Sequence, residues 1–280
     1  MKRKRRLSII KLLFVMLLLI ISGCASKELE GRETEDIFSI EQLQGKTVSI
    51  LGDSISTFEG ISNGTAAQTS NSTIGEGSAH YGEKTDGTPL RGDVLLKDTW
   101  WYQTAEELGL RILVNNSWNG TCIYEARFGS EGAYVDRCVQ LHDDTGENAG
   151  EEPDLIFIMM GTNDFTNFPE TLDQASEVYG SMLRKMKARY PMAEIYCLSL
   201  LPRREENSLG TGQPTEFNQK LQAVVKDEGC VWVDLTTSDI TPENEVFDRY
   251  FHDSNLHPNA AGMDVITRCL VDAILRSKKQ

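Results

Sequence analysis

The stretch "SILGDSISTF", residues 49 to 58, is an apolar run that breaks into Gly52, Asp53 and Ser54. A serine there is either a nucleophile offered at the tip of a strand or a small hydroxyl capping the next turn, since Ser and Asp are favoured at turns and helix starts. As a nucleophile it needs company, because a neutral hydroxyl attacks poorly unless a base lies within hydrogen-bond reach. Three further polar stretches interrupt the chain: "NNSWNG" closing at Gly120, then Gly161-Thr162-Asn163-Asp164, then "FHDSNLHPNAAG" with His257. Each also has a plain structural reading: Gly120 and Asn163 as turn residues, Pro258 as a helix-start residue with His257 as its neighbour. Taken singly, those readings are as good as a catalytic one. Coincidence on one edge of a fold would separate them.

The elements that must position these residues are short apolar runs alternating with helical patterns. "TVSILG", "RILVNN", "DLIFIMMG", "EIYCLSL" and "CVWVDL" read as buried strands. Between and after them, "TLDQASEVYGSMLRKMKARY" sets Leu172, Ala175, Tyr179, Met182, Leu183 and Met186 on one helix face, and "AAGMDVITRCLVDAIL" does the same with Val265, Ile266, Cys269, Leu270, Ala273 and Ile274. Strands apolar throughout, alternating with helices, predict a parallel sheet covered on both faces with right-handed crossovers. Such a sheet gathers the loops after its strands on one edge, where these folds bind ligands. Residues 55 to 98 break the rhythm as a long Gly, Ser, Thr and Asn-rich excursion, a functional or irregular insertion, before "DTWWYQTAEELG" resumes a helix. Trp100 and Trp101 there read as helix-packing aromatics.

"GDS", the N-x4-G spacing of Asn115 and Gly120, "GTND" and "HPN", in this order, resemble the GDSL or SGNH family of serine hydrolases from Lys46 onward. The resemblance implies a three-layer α/β/α, flavodoxin-like fold on a parallel five-stranded sheet. It implies that Ser54 attacks an ester carbonyl, that His257 takes its proton, and that the oxyanion is met by the backbone N–H groups of Ser54 and Gly120 and the side-chain amide of Asn163. Glycine lets the backbone approach, and Asn supplies N–H donors that Asp cannot. The family's acid lies three residues before the His, where this chain has Ser254. Asp253, four before, is the expected partner if the loop holds one extra residue; Asp248 and a dyad supported by a carbonyl are the alternatives. No cofactor is implied.

The expected activity is removal of short, acetyl-like acyl groups from a carbohydrate or cell-wall glycan through an acyl-enzyme. A lipase or thioesterase of the same family, an acyltransferase, and a catalytically silent glycan-binding lipoprotein are the other readings. A polar, Gly-rich loop beside the nucleophile favours the sugar over a long acyl chain.

Two decoys are set aside. "GISNG", Gly60 to Gly64, matches a nucleophile-elbow pattern around Ser62, but no apolar strand precedes it and no helical pattern follows. His252, Asp253 and His257 invite a metal reading, yet no third His or Cys pairs with them in sequence, so no metal is expected.

The N-terminus, "MKRKRRLSIIKLLFVMLLLIISGC", has the basic head, apolar run and small-residue end of an export signal. Its apolar run of roughly 15 residues is short for a span of about 20. The end at Ile21-Ser22-Gly23-Cys24 resembles a bacterial lipobox, which implies removal of residues 1–23, lipidation of Cys24, and anchoring to the outer face of the cytoplasmic membrane. Residues 24–45 read as a polar tether and 46–280 as one domain. The formal net charge of −14 becomes near −20 without the basic head. Such a surface repels nucleic acid, so membrane contact would come from the anchor. Of the remaining five cysteines, Cys197 and Cys269 read as core residues, while Cys122 and Cys138 are a pair able to bridge in an oxidising compartment.

Overall fold

The computed structural model describes residues 40–61, 79–124, 137–144, 149–204, 206, 209–253 and 256–279. The export signal, Cys24 and most of the expected tether therefore lie outside the described residues, as do Ser62 and Ser254. No helix among the described residues is long and apolar enough to cross a membrane.

Five parallel strands form the centre: β1 (Thr47–Gly52), β2 (Arg111–Asn115), β3 (Leu155–Met159), β4 (Glu194–Leu198) and β5 (Val231–Val233). Their order is β2-β1-β3-β4-β5, the flavodoxin-like arrangement, whose direction of winding reverses between β1 and β3. β1 and β3 are buried along their whole length, which explains why they read as unbroken apolar runs. Helices α1 (Trp100–Leu108), α2 (Thr162–Asn167), α3 (Leu172–Arg189), α4 (Thr215–Asp227), α5 (Asn244–Tyr250) and α6 (Ala260–Ser277) connect or follow them.

Two apolar cores make three layers. On one face, Trp100, Trp101 and Leu108 of α1, Phe247 of α5 and Met263, Ile266, Leu270 and Ile274 of α6 pack on Val48, Ile50, Phe157 and Tyr196. On the other, Ala175, Tyr179, Met182, Leu183 and Met186 of α3 and Phe217, Leu221 and Val225 of α4 pack on Leu51, Ile156, Ile158 and Cys197. Leu172 and Cys269, expected on these faces, are only half-buried.

Packing begins before Lys46: Leu43 is fully buried in the first core, and Gly45 N–H donates to Gly109 O at 2.8 Å. Cys122 and Cys138 are not bridged. Both are buried and outside any disulfide, and Cys138 packs against the second core as a small side chain.

Candidate active site

The edge of the sheet at the carboxyl ends of β1, β2 and β3 gathers the polar stretches. After β1, Asp53 caps a single 3-10 turn, Ser54–Ser56, its carboxylate accepting from Ile55 N–H at 3.1 Å. Gly52 has no alternative: a Cβ there would fall 2.4 Å from Ser56 Oγ and 3.0 Å from Ser117 Oγ. The turn is tied sideways by Asn115, whose Nδ2 donates to Ser56 O at 2.9 Å. Ser54 is buried at its base, with Oγ 2.9 Å from His257 Nε2.

His257 does not open α6; it stands three residues before it. Asn259 caps that helix, accepting from Gly262 N–H. The position of His257 is pinned from Phe251 and His252: His252 N–H donates to His257 O at 3.1 Å and Phe251 bridges Pro258. Asp253 follows directly. Its Oδ1 accepts from the N–H groups of Leu256, 2.9 Å, and His257, 2.8 Å; its Oδ2 lies 2.5 Å from His257 Nδ1. A carboxylate only accepts, so Nδ1 carries the proton and Nε2 is bare, ready to accept from the Ser54 hydroxyl. Burial by itself lifts the Asp253 carboxyl, but the bonds from the His257 ring and backbone, and from Leu256, hold it well below the usual carboxylate range. Asp248, the alternative acid, is elsewhere: its carboxylate accepts from Arg204 at 2.5 Å on an exposed helix.

The stretches after β2 and β3 carry Gly120 and Asn163. Gly120 takes φ 75°, the left-handed region where glycine is favoured. Asn163, in the first turn of α2, donates through Nδ2 to Thr121 O at 2.9 Å, and the second N–H of that nitrogen remains for a ligand. Asp164 beside it accepts from the N–H groups of Ile123 and Tyr124, so α2 grips the loop that carries Gly120.

Sequence reasoning missed two residues. Arg137 is buried beneath this loop and donates to Asn116 O, 2.7 Å, Thr121 Oγ1, 3.2 Å, and Gly52 O, 3.4 Å; a lone basic residue in a polar stretch gave no signal. Its charge also bears on Asp53, whose carboxyl burial pushes up to about 7 against the pull of the Ile55 amide, Thr162 and Arg137.

His80, from the long insertion, is the other. Its ring lies parallel to that of His257, centroids 3.5 Å apart and planes 13° apart, and its Nε2 is 2.9 Å from His252 Nε2. The third histidine absent from the sequence neighbourhood is thus present in space: ligand atoms of His80, His252, Asp253 and His257 all fall within 4.8 Å of one another. The donor chemistry argues for a hydrogen-bonded cluster. Arg91 Nη1 is 3.2 Å from His80 Nδ1, and a guanidinium only donates, so Nδ1 is bare and the proton sits on Nε2, facing His252 in place of a metal.

A family model described as GDSL-like Lipase/Acylhydrolase matches residues 50–265. The chain belongs to that family. As a GDSL-like hydrolase it is an ester hydrolase, and its three-layer fold recurs in solved structures. A Bacteroides ovatus protein described as a GDSL-like lipase is 25% identical, with a TM-score of 0.55 over 85% of this chain and all of that one. Its counterpart from Bacteroides uniformis is 23% identical, TM-score 0.56, over 82% and 95%. A carbohydrate esterase family 2 enzyme with a carbohydrate binding domain, from Corynascus thermopiles, is 17% identical, TM-score 0.52, over 84% of this chain and 67% of that one. Among curated proteins none matches.

Proposed function

We propose that this hydrolase removes short acyl groups, acetyl-like in size, from a carbohydrate or cell-wall glycan, with Ser54, His257 and Asp253 as its catalytic chain. The observation that carries the reading is the unbroken relay from Ser54 Oγ through both ring nitrogens of His257 to Asp253, at 2.9 Å and 2.5 Å. Ser54 Oγ attacks the ester carbonyl as its proton passes to Nε2. The tetrahedral oxyanion meets the N–H groups of Ser54 and Gly120 and the Asn163 amide, and collapse expels the alcohol, which takes the proton from Nε2. Water then repeats the cycle on the acyl-enzyme, releasing the acid.

The substrate class is argued from the surroundings. Arg91, which is exposed, and the half-buried His252 stand beside the relay through their contacts with His80, polar groups suited to a hydroxylated substrate rather than a long acyl chain. The fold shared with a carbohydrate esterase agrees with this. Lipidation at Cys24, with the enzyme held outside the cytoplasmic membrane, belongs to the same proposal and would bring it to cell-surface glycans.

The test uses the full-length protein in detergent with p-nitrophenyl esters of two to twelve carbons and acetylated oligosaccharides, beside Ser54→Ala. Activity falling with chain length and lost in the variant supports the proposal. Equal rates in both proteins would sink the catalytic assignment, and a preference for long chains would sink the substrate class.

A further inference from the structure

His80 takes no part in the relay, yet few residues in the molecule are held more tightly. It is buried. Its backbone N–H donates to Thr57 Oγ1 at 2.7 Å, and Thr57 Oγ1 donates to Ser54 O at 2.8 Å. Arg91 occupies Nδ1, and Nε2–H donates to His252. The next residue continues the strap, Tyr81 Oη donating to Pro258 O at 2.8 Å. Residues 80 and 81 thus bridge the nucleophile's turn to the loop of the base.

We propose that His80 is a positioning residue: the flat face of its neutral ring, stacked on His257, holds the plane of the His257 imidazole throughout the reaction. The inference rests on the Ser54–His257 reading. The Asp253 bond fixes one atom of the His257 ring, about which the ring can still tilt. While Ser54 is free, its hydroxyl fixes a second atom. Once Ser54 is acylated that donor is gone, and the stacked face of His80 is what keeps Nε2 aimed at the incoming water. Neutrality matters because a protonated His80 would repel the imidazolium that His257 becomes in each half-reaction. Burial, then the charges of His257 and Arg91, hold His80 far below the usual imidazole range.

Deacylation therefore depends on His80 more than acylation does. The experiment compares His80→Phe, which keeps a flat ring, with His80→Leu, which fills the space without one, using the full chain and p-nitrophenyl acetate. For His80→Leu we expect kcat to fall about tenfold or more, KM to fall with it, and a burst of p-nitrophenol as acyl-enzyme accumulates; His80→Phe should stay within about threefold of wild type. Two results overturn the proposal: equal losses in the Phe and Leu variants, or a fall in kcat/KM as large as that in kcat with no burst. Labelling by a fluorophosphonate separates the two levels. A wild-type chain that fails to label Ser54 overturns the underlying mechanism as well, whereas normal wild-type labelling with no deacylation defect in His80→Leu overturns the His80 role alone.

Discussion

Asp253 holds His257 twice, by the ring at Nδ1, 2.5 Å, and by the main chain at its N–H, 2.8 Å. One carboxylate thereby sets the tautomer of the base and the shape of the loop that presents it. Asp253→Asn places an amide where only an acceptor serves, and kcat should drop roughly a thousandfold or more, as loss of the orienting acid does in related relays. Asp248→Asn, which changes a surface partner of Arg204, should leave kcat within about twofold, the usual scale for an exposed pair. Steady-state rates on p-nitrophenyl acetate decide; the reverse pattern would reassign the acid.

Asn163 spends one N–H on Thr121 O, and in the proposed mechanism the other meets the developing oxyanion. Asn163→Ala should lower kcat by about 10²- to 10³-fold, the scale for one oxyanion donor, with KM changed less than about threefold. A loss confined to KM would place the amide in ground-state binding instead.

Asp53 and Asp253 impose opposite pH dependences on folding. The folded Asp53 carboxyl near 7 lies above its ordinary 3.8, so the folded protein keeps a proton that the unfolded chain has shed, and stability declines as pH rises from about 4 to about 7. Asp253 is depressed when folded, so its contribution is present above the ordinary carboxylate range and is lost on acidification. Asp53→Asn still accepts from Ile55 and removes the first slope, gaining on the order of 4 kcal/mol relative to wild type between pH 4 and pH 7.5. Thermal melts of both proteins across that range test this, and parallel curves would refute it.

Because Arg91 directs the His80 proton toward His252, the histidine cluster needs no ion to be satisfied. Dialysis against EDTA should change kcat/KM by less than about twofold, since hydrogen-bonded imidazoles lose nothing to a chelator. Loss of activity restored by zinc would convert the cluster into a metal centre.

The sheet was legible from sequence because β1 and β3 are buried on both sides: β3 is apolar throughout, and the polar residues of β1, Thr47 and Ser49, are hydrogen-bonded in the interior. The stretches of Ser54, Gly120 and Asn163 were legible because a parallel sheet delivers the residues after its strands to one edge; His257 follows a helix and not a strand, and only the order of the motifs marked it. The acid was ambiguous because its reach depends on the His252–His257 and Phe251–Pro258 pairings, which three or four residues of spacing do not encode. His80 and Arg137 were hidden for a different reason. They lie in stretches without periodicity, and their importance comes from tertiary contacts with His257 and with the loop of Gly120. Cys122 and Cys138 look available to each other in sequence because spacing does not encode the Cα distance and Cβ direction that a disulfide needs.

Strand β1 runs from Thr47 to Gly52, and residues 40–46 join the domain at its starting end, where Arg111 N–H donates to Lys46 O. Ser54 stands at the other end, roughly 20 Å away at the rise of a strand. The chain therefore enters the domain at the end of the sheet opposite the one where Ser54 meets His257, so whatever residues 1–39 attach to is joined to the far side of the domain from the catalytic edge.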